Sequence, residues 1–143
     1  MKEIVTEIEI NAPPERVWGI LTDFPAYGKW NPFLYRVVGE AILGTQVRVY
    51  LKALGRETKL KCSIITLEPN RELRWKWHLF LPGLYGGEHS LSIEPLGENR
   101  VRFVDREVFS GWLLSLFSKS IDRDSKPGFE AMDQALKARA EQA

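Results

Sequence analysis

The sequence predicts an α+β domain: a seven-stranded antiparallel sheet curved around one long C-terminal helix, with two short helices after the first strand. Three observations predict it. Residues 33–109 read as strands broken by short turns, and short connections make neighbouring strands antiparallel. Several of these strands place apolar residues on one side and charged residues on the other, so the sheet has a face that must be covered. Helical spacing long enough to cover it occurs only beyond Gly111.

The elements follow in order. Residues 3–10 alternate, with Ile4, Thr6, Ile8 and Ile10 opposite Glu3, Glu7 and Glu9, the period of a half-buried strand. Asn11-Ala12-Pro13-Pro14-Glu15 reads as a helix start with Asn11 as its cap, and Asp23-Phe24-Pro25 ends that helix. A second helical turn spans Ala26 to Lys29, and Trp30-Asn31-Pro32-Phe33 is a bend. Strands are expected at 34–42, 46–53, 57–68, 71–81, 87–95 and 100–109. The breaks are Gly44, Leu54-Gly55-Arg56, Pro69-Asn70, Pro82 to Gly86, and Gly97-Glu98-Asn99, with Gly86-Gly87 read as hairpin punctuation. The apolar run at 112–117 opens the covering helix, which Pro127-Gly128 must kink or interrupt before Phe129, Met132 and Leu136 resume helical spacing.

A length of 143 residues is one domain's worth, and 1–143 is taken as a single domain. Hydrophobic residues at 44% can build a core, which excludes a disordered chain. Net charge +1 argues against nucleic acid as partner. The single cysteine, Cys62, cannot form an internal disulfide, so the expected location is the cytoplasm. The first ten residues lack the apolar run of a signal peptide.

One face of the sheet is too apolar to meet water. Parity places Trp75, Trp77, Leu91, Phe103 and Phe109 on it, together with His89, Asp105 and Glu107. A few polar groups among aromatics is how small-molecule sites are built, so these three titratable residues are candidates for holding the polar end of an apolar ligand. The competing reading gives them structural partners or a place at a wet rim. As catalysts, only His89 and Glu107 are candidates, as an acid and base pair. His78 has the opposite parity, so a metal site shared by the two histidines is not expected. No cofactor motif is present. Arg48, Lys52, Arg56, Lys59 and Lys61 read as a solvated outer face. The apolar 79–85 loop is left open between a cavity gate, a membrane-touching lip and a loop packed on the C-terminal helix.

The run Ile10-Asn11-Ala12-Pro13-Pro14-Glu15-Arg16-Val17-Trp18, then Leu21-Thr22-Asp23, Tyr27 and Trp30-Asn31-Pro32-Phe33, resembles the N-terminal signature of the START/Bet v 1-like superfamily. In particular it resembles the SRPBCC group of polyketide cyclases/dehydrases and lipid transport proteins. Leu67-Glu68-Pro69, Leu73-Arg74-Trp75, Glu107-x-Phe109-x-Gly111 and Phe129-Glu130-Ala131-Met132 fit the same group. The resemblance implies a helix-grip fold with a hydrophobic cavity between sheet and helix. It also implies binding, and by extension transport, of a lipid, isoprenoid or polyketide. Trp30, Phe33, Phe117, Phe129 and Met132 then join the sheet residues as the candidate wall. The alternatives are a polyketide cyclase/dehydratase using His89 and Glu107, and a protein-interaction or chaperone-regulator module. The expected partner is a small hydrophobic ligand, with transient membrane contact through the 79–85 loop.

Overall fold

The computed structural model describes residues 1–53 and 55–142. Strand β1 (Lys2–Ile10) leads into helix α1 (Pro14–Thr22) and a 3-10 turn, Phe24–Lys29. Six further strands follow: β2 (Leu34–Val38), β3 (Gln46–Ala53), β4 (Arg56–Glu68), β5 (Glu72–Leu79), β6 (Tyr85–Gly97) and β7 (Arg100–Ser110). Helix α2 (Leu114–Ser120), a π turn (Ile121–Ser125) and helix α3 (Lys126–Ala140) close the chain as one helical run. The strands form a single antiparallel sheet in the order β1-β7-β6-β5-β4-β3-β2. β1 lies at one edge and packs against α3, while β3, near the other edge, meets the π turn. Both sides of the sheet therefore reach the same helical run, which requires the sheet to curl. This is the predicted helix-grip architecture.

Several local expectations differ from the structure. β2 ends at Val38 rather than 42, because the chain turns at Gly39 with φ of 137°. A Cβ there would also stand 2.7 Å from Val47 Cγ1, so only glycine fits. Asn11 does not cap α1: Pro13 occupies that position with no side-chain bond, and the Asn11 N–H donates instead to Glu141 Oε2 at 2.8 Å. Gly86 and Gly87 lie inside β6, paired with His78 and Trp77, and are not turn residues. Of the predicted turn at Leu54-Gly55-Arg56, Leu54 lies outside the described residues.

The predicted interruption of the last helix falls before Pro127, not at it. Pro127 has no N–H to give the carbonyl one turn back, and its ring would crowd that carbonyl. The preceding π turn absorbs the misfit, with the Lys126 N–H donating to the Ile121 carbonyl five residues earlier. Gly128 has a different task. A Cβ at that position would run into the ring of Phe33, so the glycine lets the N-terminal bend seat on α3, with the Phe33 and Phe129 rings 5.6 Å apart.

Candidate functional site

The inner face of β5, β6 and β7 carries the residues that strand parity assigns to it. Trp75, Trp77, His89, Leu91, Phe103, Asp105, Glu107 and Phe109 are all at most 7% exposed. Phe129 and Met132 of α3 close over them at 0%. Phe33 is buried, whereas Trp30 and Phe117 are half-buried at the margin. His89 lies flat under Phe129, rings 4.8 Å apart, with the edge of Trp75 against it.

Packing this tight leaves little space. The expected ligand-sized cavity, roughly 300–1,000 Å³ for small-molecule sites, is not formed among the described residues. The void between sheet and helical run is about 30 Å³, room for a water or two. It opens as a crevice lined by residues of β3 to β7 and by Ser125 of the π turn. Leu51, Leu60, Trp77, Leu79, Tyr85 and Phe109 form its apolar wall, and Thr58 and Ser125 add hydroxyls. Its one ionisable carboxyl is Glu107. The remaining candidates, Trp75, Leu91, Phe103, Phe129 and Met132, belong to the packed core behind it. A larger hollow, about 490 Å³, lies outside this interior between the 3-10 turn and β2.

Behind the crevice the polar residues form a chain. Trp77 Nε1 donates to Glu107 Oε2 at 2.5 Å. The contact crosses Gly87, which pairs with Trp77 on one side and Phe109 on the other. A Cβ on Gly87 would stand 2.9 Å from Glu107 Oε2 and 3.1 Å from Trp77 Nε1. His89 pairs directly with Glu107 across the strands, its Nδ1 lying 3.9 Å from Glu107 Oε1. His89 Nε2 and Asp105 Oδ1 share a hydrogen bond of 2.6 Å. Thr6, opposite Asp105 on β1, donates from Oγ1 to Asp133 Oδ2 at 2.5 Å. Asp133 is the member that sequence reasoning missed. Its position four residues after Phe129, on the same helix face, was the available signal.

Asp105 Oδ2 and Asp133 Oδ1 are buried and receive no donor, and the two carboxyls influence each other's proton affinity. Two buried acceptors without donors are costly unless one of the carboxyls carries a proton. Burial raises Asp105 to about 8, with the Glu107 charge adding to it and Asp133 opposing it. Burial and Asp105 raise Asp133 to about 9. Burial also raises Glu107, against the pull of His89 and Trp77, and lowers His89 despite the nearby acids. Burial thus pushes every member of the cluster toward its neutral form. No lysine or arginine is buried among the described residues, and among them no three His, Cys, Asp or Glu side chains are grouped to hold a metal ion.

The surroundings are plainer. His78 and the five basic residues of β3 and β4 are exposed. Cys62 is a buried free thiol that burial pushes up. The loop after β5 divides between the readings left open. Phe80 and Leu81 at its tip are exposed. Its far end packs inward, with the Tyr85 ring 4.5 Å from Phe117. The Trp112 and Leu113 N–H groups donate to the carbonyls of Gly83 and Leu84, joining the loop to the start of α2. No described helix is long and apolar enough to cross a membrane.

Comparison with known proteins follows this geometry. Residues 1–141 match the family described as polyketide cyclase/dehydrase and lipid transport. No curated protein matches the sequence. Among solved structures, the Zhui aromatase/cyclase from a Streptomyces species superposes with a TM-score of 0.80 at 17% identity, over 98% of this chain and 93% of that one. A Thermus thermophilus protein gives 0.76 at 20% identity, covering 97% of each chain. A START superfamily protein from Mycobacterium smegmatis gives 0.71 at 18%, covering 98% and 97%. At these identities the likeness is one of fold.

Proposed function

Because the chain belongs to the polyketide cyclase/dehydrase and lipid transport family, we propose that it binds a small hydrophobic or amphipathic molecule, a lipid, isoprenoid or polyketide, in the crevice above Glu107. The observation that carries this reading is the crevice itself: an apolar wall ending on a single buried carboxyl, with α2, a helix with no buried residue, beside it through Phe117 on Tyr85. The crevice as it stands is too small for a ligand body, which enters when α2 moves aside. α2 holds its place through half-buried Leu114 and Phe117, the latter against Tyr85. Few buried contacts mean a low local opening cost. Exposed Phe80, Leu81, Trp112 and Leu116 supply an apolar rim suited to transient contact with a membrane that delivers such a ligand.

The test is native mass spectrometry of the purified protein, followed by titration with fatty acids, isoprenoid alcohols and planar aromatics. A retained mass, or quenching of tryptophan emission by one of these classes, supports binding. An unchanged mass and spectrum with all of them overturns it.

One observation favours a second reading, a cyclase/dehydratase, in line with the family's description and with the Streptomyces neighbour named an aromatase/cyclase. Glu107 faces the crevice with His89 and then Asp105 behind it, an order that can take a proton beside a substrate carbonyl and return one to oxygen. Glu107→Gln separates the readings: a binding protein still takes up ligand, whereas an enzyme keeps binding and loses turnover.

A further inference from the structure

The charge balance of the crevice limits what polar end it can accept. Glu107 is 6% exposed, lines the void, and is its only ionisable carboxyl. Its Oε2 is taken by Trp77. Its Oε1 has no hydrogen-bond donor among the described residues, the nearest ring nitrogen of His89 being 3.9 Å away. Glu107 thus brings an unfilled acceptor to the lining of a mostly apolar pocket. Behind it stand two more carboxyls, Asp105 and Asp133, and among the described residues no buried lysine or arginine balances them. A ligand carboxylate or phosphate placed here finds no cationic partner and gives up its hydration without replacement, whereas a cation would draw Glu107 into its charged form.

A group that brings donors meets the opposite situation. An ammonium group is close to a water molecule in size, so the existing 30 Å³ void admits it. It carries three N–H donors. Glu107 Oε1 can accept one, and the Thr58 and Ser125 hydroxyls lining the same void can accept the others.

We propose that the crevice selects an amphipathic ligand whose polar end is a cation or a strong hydrogen-bond donor, a primary amine being the simplest case, and that Glu107 discriminates against the corresponding carboxylic acid. This rests on the ligand-binding reading above and names the head-group chemistry for the same site. The apolar tail runs outward along Leu60, Leu79 and Phe109.

The experiment compares dodecylamine, dodecanol and dodecanoic acid, each below its micellar concentration, binding to the whole protein at neutral pH by calorimetry and tryptophan emission. The amine is expected to bind at least about tenfold more tightly than the acid, since burying an anion without a cationic partner is strongly unfavourable. Glu107→Gln should bring the two within roughly threefold, a difference under about 1 kcal/mol. Thr58→Lys, a half-buried position at the mouth, supplies an internal cation and should move the preference toward the acid. It keeps the test decisive if the Glu107 variant does not fold. Equal or tighter binding of the acid by the unaltered protein overturns the head-group assignment while leaving ligand binding intact. So does an amine preference that survives the substitutions, which is adsorption of a cationic detergent elsewhere. Silence from all three ligands overturns the ligand-binding reading itself.

Discussion

Asp105→Asn tests whether the buried acids are held as neutral, proton-sharing groups. In the folded chain Asp105 is fully buried and raised to about 8, whereas an unfolded aspartate titrates near about 4. Between those values the folded state keeps a proton that the unfolded state has released. Fewer protons on the unfolded side make stability fall as pH rises, by about 1.4 kcal/mol per pH unit per group. From about pH 4 to pH 7 that amounts to about 4 kcal/mol against the folded state from Asp105 alone. Asparagine has the same shape and removes this penalty. Its Nδ2 can donate to the orphaned Asp133 Oδ1, while its oxygen keeps the bond to His89 Nε2. The variant should therefore be more stable than the parent at pH 7, by about 2–4 kcal/mol, and nearly equal to it close to pH 4. Urea unfolding at pH 5, 7 and 9 measures this, with the pH slope of the variant expected to be clearly shallower than the parent's, because Asp105 no longer titrates while Asp133 and Glu107 still do. The opposite arrangement is an ionised Asp105 paired with a protonated His89. Breaking that pair would cost about 3–5 kcal/mol. A variant less stable than the parent at pH 8, with an undiminished slope, would refute the neutral cluster.

Two further outcomes follow from packing. Gly87→Ala should lose about 1–3 kcal/mol through overpacking, because its methyl carbon would meet Glu107 Oε2 at 2.9 Å. An unchanged melting temperature would mean that Trp77 and Glu107 are not seated against that glycine. Phe129→Ala, at a fully buried position, should cost about 3–5 kcal/mol, whereas Leu116→Ser, 73% exposed, should stay within about 0.5 kcal/mol. Comparable losses in urea melts would show that α2 belongs to the core and cannot serve as a cover that moves.

The two-residue period of strands makes the face of each side chain legible without any knowledge of contacts, which is why Trp75, Trp77, His89, Asp105 and Glu107 all sit where parity puts them. Parity says nothing of partners across the sheet–helix interface. Asp133 shares the inward face of α3, yet an acid on a helix is ordinarily solvated. Only the register that sets Thr6 opposite Asp105, under that turn of the helix, shows why this one is buried. The void was illegible for a different reason. Its volume is a small difference between the space enclosed by a curled sheet and the summed volume of the side chains that fill it, and interiors are filled nearly completely. Density of aromatics on one face predicts a wall, and the same aromatics can interlock and leave no room behind it. Gly87 is where both gaps meet. Next to Gly86 and soon after Pro82-Gly83 it reads as a turn, because glycine in sequence signals backbone freedom. In the fold its backbone is ordinary strand, and what matters is the absent side chain. That absence lets the Trp77 indole cross to Glu107, so that a residue lining the crevice has one carboxyl oxygen gripped from β5.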